Sequence, residues 1–464
     1  MEKAKKRSQK IFGGAGRMKD VFKLLRYNTG NDKKAFVEFK DDFDAVIFNA
    51  SIVAYSGASI ADIISVHMNR YIIDPQTYIL QHDASAFLSN KGNIKASVMK
   101  YLDELPGSIR SIISEQRRAL TIQDISAVLD ELVDSVYNFQ TNYITKFLQG
   151  KDYNKYLEFF MEEENSTDGY APKVVIAPYF RLKKEYDYFE AQSWLSINNQ
   201  ALEKFVSKYS GTACPLAAQL LLDKKILCNM DVDSICEAYN VPGYDYIFLW
   251  IDDFTPLSAK ADEQRSFKRL LDMLNSIGKK PIMAYGGYDS ILLCHQDLNN
   301  RLFGVAQSVG YGESRNITPV GGGLPVNKYY FYPTHQRMTF GDVSSILSAQ
   351  QFFVGDKGVA AQRFYDEVCD CPQCKEIIKN NINNFNQYNE SVAYSWKGDI
   401  KRNRPTTEAS FYAARHFMCC KKKEWENIET QSIQACIGQF EEDVKKYASK
   451  ESPRLARFIK IYVE

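Results

Sequence analysis

Short apolar runs alternate with longer amphipathic stretches through the first two-thirds of this chain. The runs are Ala45–Phe48, Tyr71–Ile73, Lys173–Pro178, Tyr246–Ile251, Pro281–Tyr285, Leu302–Val309 and Lys328–Tyr332. Apolar residues recur at helical spacing from Ile60 to Met68, Glu190 to Tyr209, Pro215 to Asp223, Asp231 to Tyr239 and Ala259 to Ile277. Strand-length runs separated by helix-length stretches predict a parallel α/β sheet and not a sandwich. Most of the runs end in the residues with which barrels build sites at the carboxyl ends of their strands. Asp74 follows the second run, Asp252 and Asp253 the fourth, Gly286 and Gly287 the fifth, and Gly310-Tyr311-Gly312-Glu313 the sixth. Seven candidate strands are one short of a closed eight-stranded barrel, and the missing one is expected between residues 205 and 230.

The pattern breaks in three places. Residues 1–40 open with Lys3, Lys5, Lys6, Arg7, Lys10, Arg17 and Lys19 and read as a basic N-terminal arm. Such an arm either lies along phosphates or merely solubilises the terminus. From about residue 94 to 150 no strand is legible, and Thr121 is placed to cap an amphipathic segment reaching Leu148, so a helical insertion is expected inside the barrel. Beyond Gly341 helices dominate, one of them spanning about Thr407 to Ala448. The expected organisation is a basic arm (1–40), a TIM-type (β/α)8 barrel (41–340) and a helical subdomain (341–464). A chain of 464 residues with 45% hydrophobic and 25% charged residues has ample core material for this.

The chemistry concentrates in the last part. Cys369-Asp370-Cys371-Pro372-Gln373-Cys374 sets three thiols in one tight turn, and His416 stands on a helix 42 residues later (416 − 374). Three thiols and an imidazole are the ligand set of a closed tetrahedral zinc site, whereas three unrelated buried thiols would be the alternative. The other seven of ten cysteines show no disulfide framework. With no signal-type apolar segment at the N-terminus and no run of 18 apolar residues, a reducing cytosol and no membrane span are expected. Lys+Arg (58) and Asp+Glu (57) nearly cancel, so net charge names no partner. Lys375, Lys379, Lys401, Arg402, Arg404 and Lys421 to Lys423 nevertheless make the subdomain locally basic, either as a solvated face or as a phosphate contact.

A barrel followed by Cys-Asp-Cys-x-x-Cys and a distant helical His resembles the tRNA-guanine transglycosylases. The resemblance implies a (β/α)8 barrel with a C-terminal structural zinc subdomain whose ligands are Cys369, Cys371, Cys374 and His416. The gap before His416 exceeds the family's usual spacing, and an Asn- and Lys-rich insertion from Asn380 to Arg404 accounts for it. Otherwise Cys419 or Cys420 would be the fourth ligand. Family members exchange guanine for a 7-deazaguanine base, mostly in tRNA, with relatives acting on DNA. That chemistry needs one carboxylate as nucleophile at the anomeric carbon and a second as acid/base near the purine.

The family's Asp-Ser-Gly-Gly-Phe-Gln turn corresponds to Asp74-Pro75-Gln76-Thr77-Tyr78-Ile79, which keeps the acid/base Asp and lacks the glycines. Asp before Pro is also a plain turn-former. No Asp stands at the family's nucleophile place before Pro333-Thr334-His335, which leaves Glu313, Asp252 and Asp253 as candidates. Where the family has a base-recognising Asp, Pro178-Tyr179-Phe180 follows the Val174–Ala177 run, so Tyr179 either stacks on a purine or packs in the core. Gly286 and Gly287 would let backbone approach a ligand, Tyr311 joins them, and His335 and Arg337 are candidate phosphate contacts.

The resemblance thus implies a base-exchange enzyme on tRNA or DNA, using guanine or a 7-deazaguanine base. The alternative is a non-catalytic relative serving as a binding or partner subunit, and some such relatives sit among bacterial antiviral defence genes. A third possibility is hydrolysis of the glycosidic bond. Pairing through zinc subdomains, common in the family, implies a homodimer.

Overall fold

The computed structural model describes residues 21–27, 32–66, 70–89, 91–148, 171–310, 313, 328–396 and 400–464. Eight parallel strands close into a barrel: β1 (Phe22–Tyr27), β2 (Ala45–Asn49), β3 (Tyr71–Asp74), β4 (Val174–Ile176), β6 (Leu216–Asp223), β7 (Tyr246–Asp252), β8 (Lys280–Met283) and β9 (Gly304–Ser308). β9 pairs with β1, Phe22 opposite Gly304, and β4 pairs with β6, Val175 opposite Leu216. A two-residue strand, β5 (Arg181–Leu182), continues along β6 with Arg181 opposite Leu221. The partner offset drops from 41 (216 − 175) to 40 (221 − 181), so Ala177-Pro178-Tyr179-Phe180 holds one extra residue, and Pro178 marks the interruption. This is the TIM-type α/β architecture that the pattern predicts.

The strands are buried along almost their whole length; every residue of β2 and β6 is inaccessible. A barrel wall faces side-chain layers inside and helices outside, so its strands lose the polar/apolar alternation of a half-exposed sheet. That explains two departures from the sequence reading. Leu216-Ala-Ala-Gln-Leu-Leu-Leu, read as a helix because Ala, Leu and Gln favour one, is the strand expected between 205 and 230; burial on both sides overrides propensity. Phe22–Tyr27, counted in the basic arm of 1–40, is the first barrel strand. Conversely, Lys328–Phe331 is not in the barrel. It forms β10 of an antiparallel hairpin with β11 (Gln336–Thr339), turned by Tyr332–Thr334 and by His335 at φ 52°.

The insertion between β3 and β4 is helical, as expected (Ala96–Leu102, Gly107–Ser114, Ile122–Ala127, Leu129–Asn142 and Thr145–Leu148). Thr121 caps its helix in a reciprocal box with Asp124, which Arg118 grips at 2.6 and 3.0 Å. The insertion braces the barrel. The buried Gln140 donates to the Ile176 carbonyl (2.8 Å) and accepts from the Ile176 N–H (2.9 Å), while Tyr101 donates to the Pro75 carbonyl beside Asp74.

After β11 the chain runs through helices Phe340–Ala349, Lys357–Glu367 and Pro372–Ile378 into a second hairpin, β12 (Ser391–Trp396) and β13 (Ile400–Pro405). The long helix expected from 407 to 448 is two, Thr407–Thr430 and Ile433–Tyr447, because Ser432 caps a new start. The last helix, Ser452–Tyr462, returns to the barrel: Tyr462 donates to the Gln264 carbonyl (3.0 Å) and Arg457 to that of Ala259 (2.8 Å). No helix among the described residues is long and apolar enough to cross a membrane.

Candidate metal centre and barrel mouth

Helix Pro372–Ile378 begins with Pro at its first position, where the missing N–H costs nothing, and Cys371 is its N-cap. The Cys371 thiol accepts from the Cys374 N–H at 3.4 Å, so one turn aims both sulfurs the same way. Cys369 precedes the turn, and Asp370 is pinned by Lys423 (2.8 Å) and Lys375 (3.7 Å). His416, on helix Thr407–Thr430, completes the set: the four donor atoms lie within 4.8 Å of one another and all four residues are buried. Cys371 and Cys374 Sγ lie 3.3 and 3.4 Å from His416 Nδ1.

The surroundings prepare the donors. His416 Nε2–H donates to the Tyr330 carbonyl at 2.7 Å, which leaves the Nδ1 lone pair facing the sulfurs. Tyr329 stacks on the imidazole at 4.1 Å, and the Tyr329 and Tyr388 hydroxyls point at Cys374 Sγ (3.2 and 3.5 Å). Hydrogen bonds from Cys369 and Cys374 hold the Cys371 thiol far below its ordinary pKa, favouring its thiolate, the form that binds a metal, while burial pushes the Cys374 thiol up. These residues could hold a metal ion. His416 occupies the fourth corner, so neither Cys419 nor Cys420 has to replace it. Cys420 nevertheless lies close, with Sγ 3.9 Å from that of Cys369 and 3.7 Å from His416 Nδ1.

One helical turn further on, an ion pair and a histidine are buried between helix Thr407–Thr430 and the β10–β11 hairpin. Lys421 Nζ donates to Glu424 Oε2 (2.8 Å) and to the Tyr330 hydroxyl (2.6 Å), and His335 Nδ1–H donates to Glu424 Oε1 (2.7 Å). His335 is stacked on Tyr288 at 3.5 Å. It is thus an internal hydrogen-bonding group and not a phosphate contact. Arg337 also has an internal role: its guanidinium donates to the Val309 and Ser308 carbonyls at the end of β9 and covers Phe417.

At the barrel mouth Asp74 is the last residue of β3 and is wholly buried. Its carboxylate accepts from Arg26 Nη1 (2.9 Å), from the Tyr179 hydroxyl (2.7 Å) and from the N–H of Gln76 (3.2 Å). Arg26, on β1, also donates to the Ala284 carbonyl (2.8 Å) and lies over the Tyr285 ring. Tyr179 therefore serves Asp74 with its hydroxyl while its ring lies against Tyr78, and burial together with the Asp74 charge pushes its phenol far up.

The other predicted carboxylates fall in separate places. Asp252 shares Arg181 with Asp223, at 2.9 and 2.5 Å, and burial raises Asp223 despite that arginine. Asp253 points outward at φ 49° and pairs with Lys224 at 3.0 Å. Glu313 rests against Gly287, 3.6 Å from Arg337 Nε; a Cβ on Gly287 would meet Glu313 Cγ at 3.0 Å. At Gly286 the space a side chain would need is filled by Val305 and Ser290, so close packing, not a ligand, demands that glycine. Tyr311 lies outside the described residues.

Arg26, Arg181, Asp223 and Glu424 were not singled out from the sequence, and Lys421, counted there with the basic residues of a solvated face or phosphate contact, is buried. Their signal was a charge inside an otherwise apolar run, as in Phe-Lys-Leu-Leu-Arg-Tyr, or one placed at the spacing of neighbouring core residues, as in Phe417-x-x-x-Lys421-x-x-Glu424-Trp425. Comparison with known proteins finds no family model that matches the chain and no curated protein with significant similarity.

Proposed function

We propose that the chain is a zinc-built barrel that handles a base within nucleic acid in the manner of a guanine transglycosylase. Cys369, Cys371, Cys374 and His416 would hold Zn2+, which supplies a rigid cross-link here and takes no part in the reaction. The observation carrying the reading is Asp74, buried at the carboxyl end of a barrel strand with Arg26 and Tyr179. An internal ion pair seldom adds stability that apolar side chains could not supply, so one retained at the catalytic face supports a functional role. Glu313, beside the Gly286–Gly287 turn after β8, is the carboxylate assigned as nucleophile.

Glu313 would form a bond to the anomeric carbon as the bond to guanine breaks, and Asp74 would supply the proton that leaves with guanine. Asp74 would then take the proton from the incoming 7-deazaguanine, whose nitrogen displaces Glu313 and restores the carboxylate. A second reading, a binding or partner subunit without turnover, is favoured by the hydrogen bonds of Arg26, Tyr179 and Gln76 to Asp74, which engage both of its oxygens within the fold.

Labelled guanine supplied with mixed tRNA or with duplex DNA separates the two readings. Label entering either polymer, and lost in Asp74→Ala and Glu313→Gln, supports exchange and names the substrate. No label from folded, zinc-loaded protein leaves the binding reading.

A further inference from the structure

At the end of β4 the sheet stops supplying backbone partners. Val175 and Ala177 donate their N–H groups to the Pro215 and Ala217 carbonyls at the start of β6, at 2.9 Å each. The peptide groups of Ile176 therefore face the other way, where β3 has already ended at Asp74. From here to Arg181 buried side chains take over, each closing on both the N–H and the C=O of one residue. Gln140 does so at Ile176. The Thr77 hydroxyl accepts from the Tyr179 N–H (2.8 Å) and donates to the Tyr179 carbonyl (2.6 Å). Asn198 closes on Phe180 (2.7 and 2.9 Å) and Gln81 on Arg181 (2.6 and 3.0 Å).

The residue that Thr77 holds is the one that serves the buried carboxylate. Tyr179 donates its hydroxyl to Asp74 at 2.7 Å. Thr77 itself belongs to the turn that follows Asp74, Asp74-Pro75-Gln76-Thr77. Asp74, its turn, the Thr77 hydroxyl and Tyr179 thus form a closed ring, and the Thr77 hydroxyl fixes the backbone from which Tyr179 reaches Asp74. A β-branched side chain is stiff at χ1, so this short link carries little slack.

We propose that Thr77 is a positioning residue of the barrel mouth: through the Tyr179 backbone it sets where the Tyr179 hydroxyl meets Asp74. The proposal rests on the reading of Asp74 given above, and its test is read in geometry as well as in exchange.

Thr77→Ser keeps the hydroxyl, and Thr77→Val replaces it with a methyl of similar shape. Crystal structures of the two would measure the separation of the Tyr179 hydroxyl from Asp74. Thr77→Ser is expected to keep the wild-type contact, and Thr77→Val to open it beyond about 3.5 Å. If Thr77→Val does not fold, Thr77→Ala, which leaves room for water at the Tyr179 backbone, takes its place. In guanine exchange, kcat of Thr77→Val is expected to fall about 10²-fold at unchanged KM, as far as in Tyr179→Phe. Thr77→Ser should retain the rate, and adding Thr77→Val to Tyr179→Phe should slow nothing further. Gln140→Ala, which loses an equally buried bridge at Ile176, should keep both the contact and the rate, and so controls for a mere loss of stability. A Tyr179–Asp74 contact that survives in Thr77→Val, or an equal loss of exchange in Gln140→Ala, overturns the proposal. If the wild type exchanges no guanine, the catalytic reading falls, and a displaced Tyr179 hydroxyl in Thr77→Val still supports the positioning of Asp74 by Thr77.

Discussion

Replacing Lys421 by Met tests how helix Thr407–Thr430 is held to the β10–β11 hairpin. Lys421 and Glu424 are wholly buried with 2.8 Å between Nζ and Oε2. At an effective dielectric constant near 20, two unit charges at that separation attract by about 6 kcal/mol. Desolvating the two ions offsets most of this, so the pair itself contributes little net stability. Removing one partner is different, because Glu424 would stay buried with only His335 and Tyr330 to satisfy it. Lys421→Met is therefore expected to cost about 3–5 kcal/mol. Lys421→Met/Glu424→Leu, which removes both charges, should recover more than half of that loss. Denaturant unfolding of the three proteins at neutral pH measures both quantities. A single-variant cost below about 1 kcal/mol, or a double variant no better than the single, would refute the argument that an orphaned buried charge governs this seam.

Acid should loosen the same seam in two stages. Burial pushes His335 below its ordinary 6.5, so its contribution is complete above that value and is lost as pH falls. Glu424 is pushed up by burial but held below 4.5 overall by Lys421 and His335, so its contribution disappears at lower pH still. Melting temperature against pH should show both losses, and His335→Asn, which tolerates the positive φ, should lack the upper one. Elemental analysis should find one zinc per chain, and a strong chelator or Cys374→Ser should lower the melting temperature and abolish binding at this site. Gln140→Ala should cost about 2–4 kcal/mol in denaturant unfolding, since it leaves both polar groups of the Ile176 backbone unpaired against the insertion. Gly286→Ala should cost about 1–3 kcal/mol, because the added methyl meets Val305 Cγ1 at 2.7 Å and Ser290 Oγ at 2.8 Å.

Much of the fold was legible where local and tertiary preferences agree. Val174–Ile176 and Tyr246–Asp252 are β-branched or aromatic runs that end in turns, and they are strands. Leu216–Leu222 was misread because its composition favours a helix while its place between β4 and β7 demands a strand. Phe22–Tyr27 was missed because a barrel interior accepts a charge when a partner arrives from elsewhere: Arg26 finds Asp74 48 positions later (74 − 26). The candidate metal ligands were legible because three of them share one turn. His416 was legible as the imidazole that completes a three-thiol ligand set, although nothing local marks a histidine as a ligand. The ion pairs of the mouth and the seam were hidden because their partners meet only in the folded chain.

The pairing of β1 with β9 has a consequence for the order of events during synthesis. Phe22 finds Gly304 282 positions later (304 − 22), so the first strand made waits for the last strand of the barrel before its open edge is covered. Until then a ribosome-bound intermediate exposes two unsatisfied sheet edges, on β1 and on whichever strand was made last. A contact of such long sequence separation forms slowly and is open to misassembly meanwhile. The helix Ser452–Tyr462, which docks on Gln264 and Ala259, begins 148 positions later again (452 − 304). Chains cut short near their end should accumulate as chaperone-bound or aggregated species, with a closed barrel lacking its outer cover.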